Sequence, residues 1–313
     1  MTVKNEAESL PRLFETLALQ TKHPDEIIVA DGGSRDDTVK MLRAASSEFR
    51  LRVLECPGTN ISQGRNAAIR ETNADIIASM DAGVRLEPRW FENITAPFFQ
   101  DNAPDVVSGF FLPDPHGAFE TALAATTLPE LRDIKPETFL PSSRSVAFRK
   151  TAWEKIGGYP EWLDYCEDLI FDFDLKRAGF RFQFQPNALV YFRPRPTLQK
   201  FSKQYNLYAR GDGKANLWWK RHLIRYATYL VAIPFSFLVF QFSPLVSFVM
   251  WLVGAYALFG TPYRRLFRAW NNLSLTEKII AFLYVPVIRI AGDIAKMLGY
   301  PVGIIWRMNH KHV

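Results

Sequence analysis

The stretch Glu26-Ile27-Ile28-Val29-Ala30-Asp31-Gly32-Gly33-Ser34-Arg35-Asp36-Asp37-Thr38 decides the fold. A short apolar run, a carboxylate and then a Gly-Gly-Ser turn read as a buried strand that stops abruptly. Asp36-Asp37-Thr38 can cap the next helix, over roughly residues 37–47. Upstream, Leu10, Leu13, Phe14 and Leu17 recur at helical spacing within residues 5–22. Downstream, Leu51–Leu54 reads as a second strand, residues 62–71 as a helix, and Ile76–Met80 as a strand running into Asp81. Helix and strand in alternation predict an α/β fold with a mostly parallel, Rossmann-like sheet. Ligands of such sheets sit at the carboxyl ends of the strands, where Asp31 and Asp81 both lie. The chain opens almost directly into the first helix, so the usual first strand is expected to be truncated, with its missing part ahead of Met1.

The 313 residues suit one large domain, or one domain with an appendage. A formal net charge of +6 points to nucleic acid, anionic lipid or a phosphorylated ligand. The basic residues gather at the edges of apolar segments rather than along a groove, which argues against nucleic acid. Cys56 and Cys166 fit no metal motif and make no disulfide framework, so a reducing compartment is expected. The polar, amphipathic N-terminus has no signal-peptide core.

From Tyr226 to Tyr263 the sequence contains no charged residue. That is too long for one span of about 20 residues and suits a hairpin of two short ones, over about 226–262, broken at Gln241-Phe242-Ser243-Pro244. Lys220, Arg221 and Arg225 precede it, and Arg264, Arg265 and Arg268 follow it. Basic residues at both ends put both ends in the cytosol. The prediction is a multi-pass protein of the cell (inner) membrane with its soluble part cytoplasmic. A third apolar segment, about 279–303, carries Arg289, Asp293 and Lys296 on one helix face, and is read as an interfacial helix or a third membrane helix. The expected division is a soluble domain over 1–215 and a membrane-associated helical region over 216–313.

Several motifs now stand in order. Val3-Lys4-Asn5-Glu6 resembles a P-x-x-N-E strand end, and Gln63-Gly64-Arg65-Asn66-Ala67-Ala68 an A-R-N-x-G segment. Ser79-Met80-Asp81-Ala82-Gly83 stands in the place of a D-x-D. Gly157-Gly158-Tyr159 and Glu167-Asp168 resemble G-G-[FY] and E-D motifs. Together with the Asp31 turn, these resemble the family-2 glycosyltransferases of GT-A fold, over about residues 1–215. The resemblance implies a nucleotide-sugar donor, an inverting transfer and a divalent ion.

It also assigns residues. Asp31 would serve the nucleoside; its other reading is a turn-former or helix cap. The family's D-D-G-S is D-G-G-S here, with Gly32 in the second place, which leaves the base open. Glu6 is a further donor contact or a helix-dipole partner, and Arg65 a diphosphate contact or a surface arginine. Asp81 would ligate Mg²⁺ or Mn²⁺, which suit carboxylate and phosphate oxygens. Gly83 takes the second Asp's place, so diphosphate and water would complete the ion's shell. Asp168 would be the base that deprotonates an acceptor hydroxyl, with Glu167 orienting the acceptor or tuning it, and Asp172 as a fallback. Ser143, within Ser142-Ser143-Arg144, and Gly158 fall on the acceptor side. Gln204 and Arg210 loosely resemble a Q-x-x-R-W motif. Arg210 with Gly211 and Gly213 reads either as a phosphate-binding loop that closes over the donor or as a basic linker near lipid.

The activity so implied is sugar transfer to a hydroxyl of a lipid-linked or cell-envelope glycan acceptor. Two alternatives stand beside it: transfer to a polyprenyl phosphate, which needs no base, and a binding protein that has lost catalysis with its second Asp.

Overall fold

The computed structural model describes residues 1–310. The chain forms two compact units, one of Met1–Asp114 with Glu130–Phe192, the other of Pro115–Pro129 with the chain from Arg193 onward.

The first unit begins with β1 (Thr2–Val3), α1 (Leu10–Ala18), β2 (Ile27–Asp31), α2 (Thr38–Ala44), β3 (Leu51–Glu55) and α3 (Ile61–Arg70). The strands make a parallel sheet in the order β1-β2-β3. Every residue of β2 is buried, as its uninterrupted apolar run requires. The first strand consists of two residues, Thr2 and Val3, opposite Ala30 and Asp31. The first helix starts at Leu10 rather than at residue 5, because Asn5 turns the chain in a left-handed conformation, φ 55°. Asn60 and Gln63 cap α3 reciprocally, each side chain accepting from the other's N–H at 2.9 Å. At Gly64 a Cβ would lie 2.4 Å from Thr2 Oγ1, so glycine lets α3 press onto β1.

The chain continues through β4 (Ile76–Ser79), β5 (Val84–Leu86), α4 (Trp90–Thr95), β6 (Val106–Pro113), α5 (Ala118–Thr127), β7 (Val146–Arg149), α6 (Lys150–Ile156), α7 (Glu167–Arg177) and β8 (Phe182–Phe192). The second sheet has the order β4-β7-β6-β8-β5. Only β6 and β8 are parallel; the other pairs run antiparallel. The mostly parallel sheet expected from the sequence is found as the first sheet, and the strands after Arg70 form a second, mixed one. The connection from β4 to β5 is Met80–Gly83, far short of the dozen or so residues that a parallel crossover takes, and β5 lies on the opposite edge. The core of this unit runs from Leu10, Leu13 and Val29 to Trp90, Val107 and Val190. A second cluster gathers Phe148, Tyr159, Phe171 and Leu175 under α7.

The second unit takes α5 and adds α8 (Leu198–Lys214), α9 (Trp219–Ala227), α10 (Ile233–Phe240), α11 (Pro244–Ala269) and α12 (Leu275–Asn309). Its core joins Ala122, Leu123 and Ala125 of α5 to Phe201, Leu266, Ala281, Val285 and Ile288. The division at 215 therefore differs from the observed one. Residues 193–214 end in a helix packed on α12 at backbone distance: a Cβ on Gly299 would lie 2.1 Å from Asn206 O, and one on Gly303 2.1 Å from Arg210 O. The helices Trp219–Phe240 and Pro244–Asn272 are long and apolar enough to cross a membrane. They meet at the anticipated break, and large side chains such as Leu230, Phe237, Leu245 and Phe248 are exposed on them. The charge stripe of the third apolar segment is paired: Asp293 receives Arg289 at 3.1 Å and, from α9, Arg225 at 2.7 Å. Lys296 lies over the Tyr205 ring at 4.5 Å.

Candidate active site

The carboxyl end of β2 opens the site. Asp31, 3% exposed, folds back on the turn it begins: Oδ2 accepts from the N–H groups of Gly33 (3.0 Å) and Ser34 (2.9 Å), and Ser34 Oγ donates to Oδ1. Ser34 Oγ also accepts from Asn5 N–H at 2.8 Å, and Asn5 Oδ1 accepts from Arg35 N–H at 2.8 Å. Glu6 N–H donates to Thr38 Oγ1 at 2.8 Å, and the Glu6 carboxylate accepts from Ser9 Oγ at 2.7 Å. The ends of β1 and β2 are thereby tied into one rim, with Asp31 as its turn-former.

The charged centre lies at the end of β4. Arg65, on α3 and 4% exposed, reaches two carboxylates at once: Glu167 at 2.5 Å and Asp81 at 3.1 Å. Asp81 has a second cation, Arg144, at 3.5 Å. Arg144 also donates to Ser142 Oγ at 3.2 Å, and its guanidinium lies 4.4 Å over the Phe192 ring. Cys166 adopts a left-handed conformation, φ 64°, which turns the chain so that Glu167 and Asp168 form the first turn of α7. Carboxylates are favoured there by the helix dipole. Behind them Tyr159 stacks on Phe171 at 3.9 Å, lies under Arg65, and bonds Ser143 Oγ through its hydroxyl at 3.2 Å.

Crowding sets the electrostatics. Burial pushes the Glu167 carboxyl up to about 7, reinforced by Asp168 and opposed by Arg65. Burial raises Asp168 too, against the pull of Arg65 and Arg144. Asp172, one turn further along α7 and 2% exposed, is pushed well above the carboxylate range by burial and then by Asp168. Among the described residues its Oδ2 has no hydrogen-bond partner, as suits a carboxyl held neutral. Burial opposes the charge on Arg65, but Glu167 and Asp81 together more than offset it and keep the guanidinium ionised. The result is an alternating chain of Glu167, Arg65, Asp81 and Arg144, with Asp168 beside it.

Residues 1–156 match the sequence profile of glycosyl transferase family 2. The chain belongs to that family. It is similar to the O-antigen chain rhamnosyltransferase RfbN of Salmonella typhimurium, at 23% identity over 61% of this chain and 65% of the relative. It is similar also to the succinoglycan biosynthesis protein ExoA of Rhizobium meliloti, at 26% identity over 67% of each. The match thus spans about two thirds of the length of these relatives. Among solved structures, the mannosyltransferase PcManGT from Pyrobaculum calidifontis, in complex with GDP-Man and Mn²⁺, superposes with a TM-score of 0.57. At 17% identity it covers 97% of this chain and 85% of that one, and it shares the GT-A fold.

In this glycosyltransferase the sequence-predicted residues fall into three groups. Arg65, Asp81, Glu167 and Asp168 come together, with Ser143 beneath them. Asp31 and Glu6 form the adjoining rim, and Gly158 is a packing position: its φ is 86°, and a Cβ would lie 2.7 Å from Asn66 Oδ1. Gln204 and Arg210 stand on α8 of the second unit, where Gln204 donates to Tyr208 Oη at 2.8 Å. The expected loop at Arg210-Gly211 is helix instead, because Gly213 is needed for close approach to Tyr300 O rather than for a turn. Sequence reasoning gave no part to Tyr159 or Asn66 and none to Arg144. Asn66 accepts from Trp153 Nε1 (3.0 Å) and Tyr159 N–H (2.8 Å) and donates to Tyr159 O (2.8 Å), which locks the Gly-Gly-Tyr turn to α3.

The donor set at Asp81 does not fit a protein-held dication. Asp81 is a single carboxylate already shared by two guanidinium groups, and Gly83 offers no side-chain ligand. Among the described residues no three His, Cys, Asp or Glu side chains converge as metal ligands.

Proposed function

We propose that this glycosyltransferase is a membrane-anchored, inverting enzyme that moves a sugar from a nucleotide-diphosphate donor to a hydroxyl of a lipid-linked or cell-envelope glycan acceptor. The reading is carried by the placement of Asp168 on the first turn of α7, beside the Arg65–Asp81 pair at the carboxyl end of β4. Asp168 takes the proton of the acceptor hydroxyl. The oxygen attacks the anomeric carbon from the face opposite the diphosphate. The sugar–phosphate bond breaks with its electron pair going to the leaving group, and the configuration inverts. Glu167, bound to Arg65, fixes the first turn of α7 and so the position of the base. The family membership, and the O-antigen and succinoglycan assignments of two relatives, support an envelope polysaccharide as the acceptor class.

Two apolar helices with basic residues at both ends support a hairpin that holds the enzyme at the cytoplasmic face of the membrane. The GDP-Man of the mannosyltransferase supports a nucleotide-sugar donor, and its Mn²⁺ supports, as the alternative to neutralisation by the arginines alone, Mg²⁺ or Mn²⁺ held through the diphosphate. Nucleotide affinity with and without a chelator decides between that ion and the arginines. The reading as a whole is tested by a donor screen on purified membranes that contain the full chain. Release of UDP or GDP that depends on added acceptor lipid is the expected outcome. Binding without release for every sugar nucleotide would leave only the non-catalytic alternative.

A further inference from the structure

We infer that Arg144, together with Arg65, forms a guanidinium clamp for the donor diphosphate, so that the chain neutralises its leaving group with its own cations rather than with a bound dication. The inference rests on the nucleotide-sugar reading and adds the means of charge neutralisation. Three observations on one site carry it. The carboxylate at the end of β4 is occupied by two guanidinium groups, at 3.1 and 3.5 Å. A dication placed on Asp81 would face both guanidinium groups at close range, while Glu167, the other carboxylate on Arg65, is itself bound to that guanidinium. Gly83 supplies no second ligand, and among the described residues a Cβ there would meet nothing within 4 Å. Arg144 is held in one orientation, since its guanidinium lies over the rings of Phe192 and Phe111 and is bonded to Ser142 Oγ.

The electrostatics fit an exchange of anions. Asp81 holds the two guanidinium groups in place before the donor arrives, and its side chain is 31% exposed, so it can turn toward water. Guanidinium planes bind phosphate oxygens in a forked geometry that a lysine cannot reproduce. When C1–O cleavage leaves its electron pair on the diphosphate, the charge that develops falls on groups already oriented for it. Arg144 also lies close enough to Asp168 to pull its pKa down, which links the donor side of the site to the base.

The test measures the affinity of the full chain, in detergent, for UDP and for GDP, each in EDTA and in Mg²⁺ or Mn²⁺. For the nucleotide that binds, affinity is expected to change less than about threefold between chelator and metal. Arg144→Ala should weaken it by about tenfold or more, the loss of charged hydrogen bonds, with Arg144→Lys in between. Asp81→Asn, which removes the competing carboxylate but would also remove a metal ligand, should bind as tightly as the parent or tighter. Binding that is lost in EDTA and restored by Mn²⁺, or an Asp81→Asn protein that no longer binds, overturns the clamp and leaves the nucleotide-sugar reading standing. Failure of both nucleotides under every condition overturns both. The chelation comparison needs no variant, so misfolding of an arginine mutant does not protect the inference.

Discussion

Asp168 and Glu167 are neighbours with different proposed roles, and single substitutions separate them. Asp168→Asn keeps size and hydrogen bonding but cannot accept the proton. Transfer to a hydroxyl acceptor should fall by about 10²–10⁴-fold, while nucleotide affinity stays near the parent's. Initial rates of nucleoside diphosphate release measure this. A variant that keeps most of its activity would point instead to an acceptor that is already anionic, such as a polyprenyl phosphate. The pH dependence follows from the same pair. A base must be ionised, and burial raises the Asp168 carboxyl, so the rate should rise with pH along a limb above the ordinary carboxylate range. Glu167→Ala leaves buried Arg65 with only Asp81. It should cost about 3 kcal/mol of stability, read as a lowered Tm. At this scale the sequence was legible where chemistry is written locally: Glu167-Asp168 and the arginine before Asn66 announce themselves. Arg144 does not, because its partner Asp81 is brought to it by the β4–β7 pairing, and such long-range contacts leave no periodic trace.

At the scale of elements, the first sheet could be read directly because each strand is followed by its own helix and each apolar run is short and continuous. The second sheet could not. Its strands pair across distant segments, and β4 resembles β2 in sequence while it pairs antiparallel. The glycines misled for a related reason. Gly211 and Gly213 read as a loop, yet α8 is helical through both and presses its backbone on α12. That packing makes a prediction. Gly299→Leu places side-chain atoms where Asn206 O now stands, and overpacking of this kind costs about 1–3 kcal/mol. Thermal unfolding in detergent should show it. Gly254→Leu on α11, where a Cβ would meet nothing within 4 Å, is the matched control and should leave Tm unchanged. Equal effects of the two variants would mean that α8 and α12 are not closely packed.

At the scale of the molecule, the C-terminal helices complete a core begun in the middle of the sequence. The segment Pro115–Pro129 lies in the middle of the glycosyltransferase sequence, yet Ala122, Leu123 and Ala125 find their core among Phe201, Leu266 and Val285. A chain ending at Ala215 would leave these side chains in water. It should appear in the aggregated fraction rather than as a soluble enzyme; a monodisperse, nucleotide-binding product would refute this. The hairpin itself can be tested by topology. The charge-free run Tyr226–Tyr263 is bounded on each side by basic residues, and a cation carried across a bilayer costs far more than one kept at the surface. Two crossings return the chain to the side it left. Single cysteines at Leu217 and Leu273, in a background lacking Cys56 and Cys166, should therefore be labelled by an impermeant thiol reagent from the same face of oriented vesicles. One at Phe242, in the exposed turn between the helices, should be labelled only from the other face. Labelling of Leu217 and Leu273 from opposite faces would require an odd number of crossings, and the hairpin would have to be abandoned.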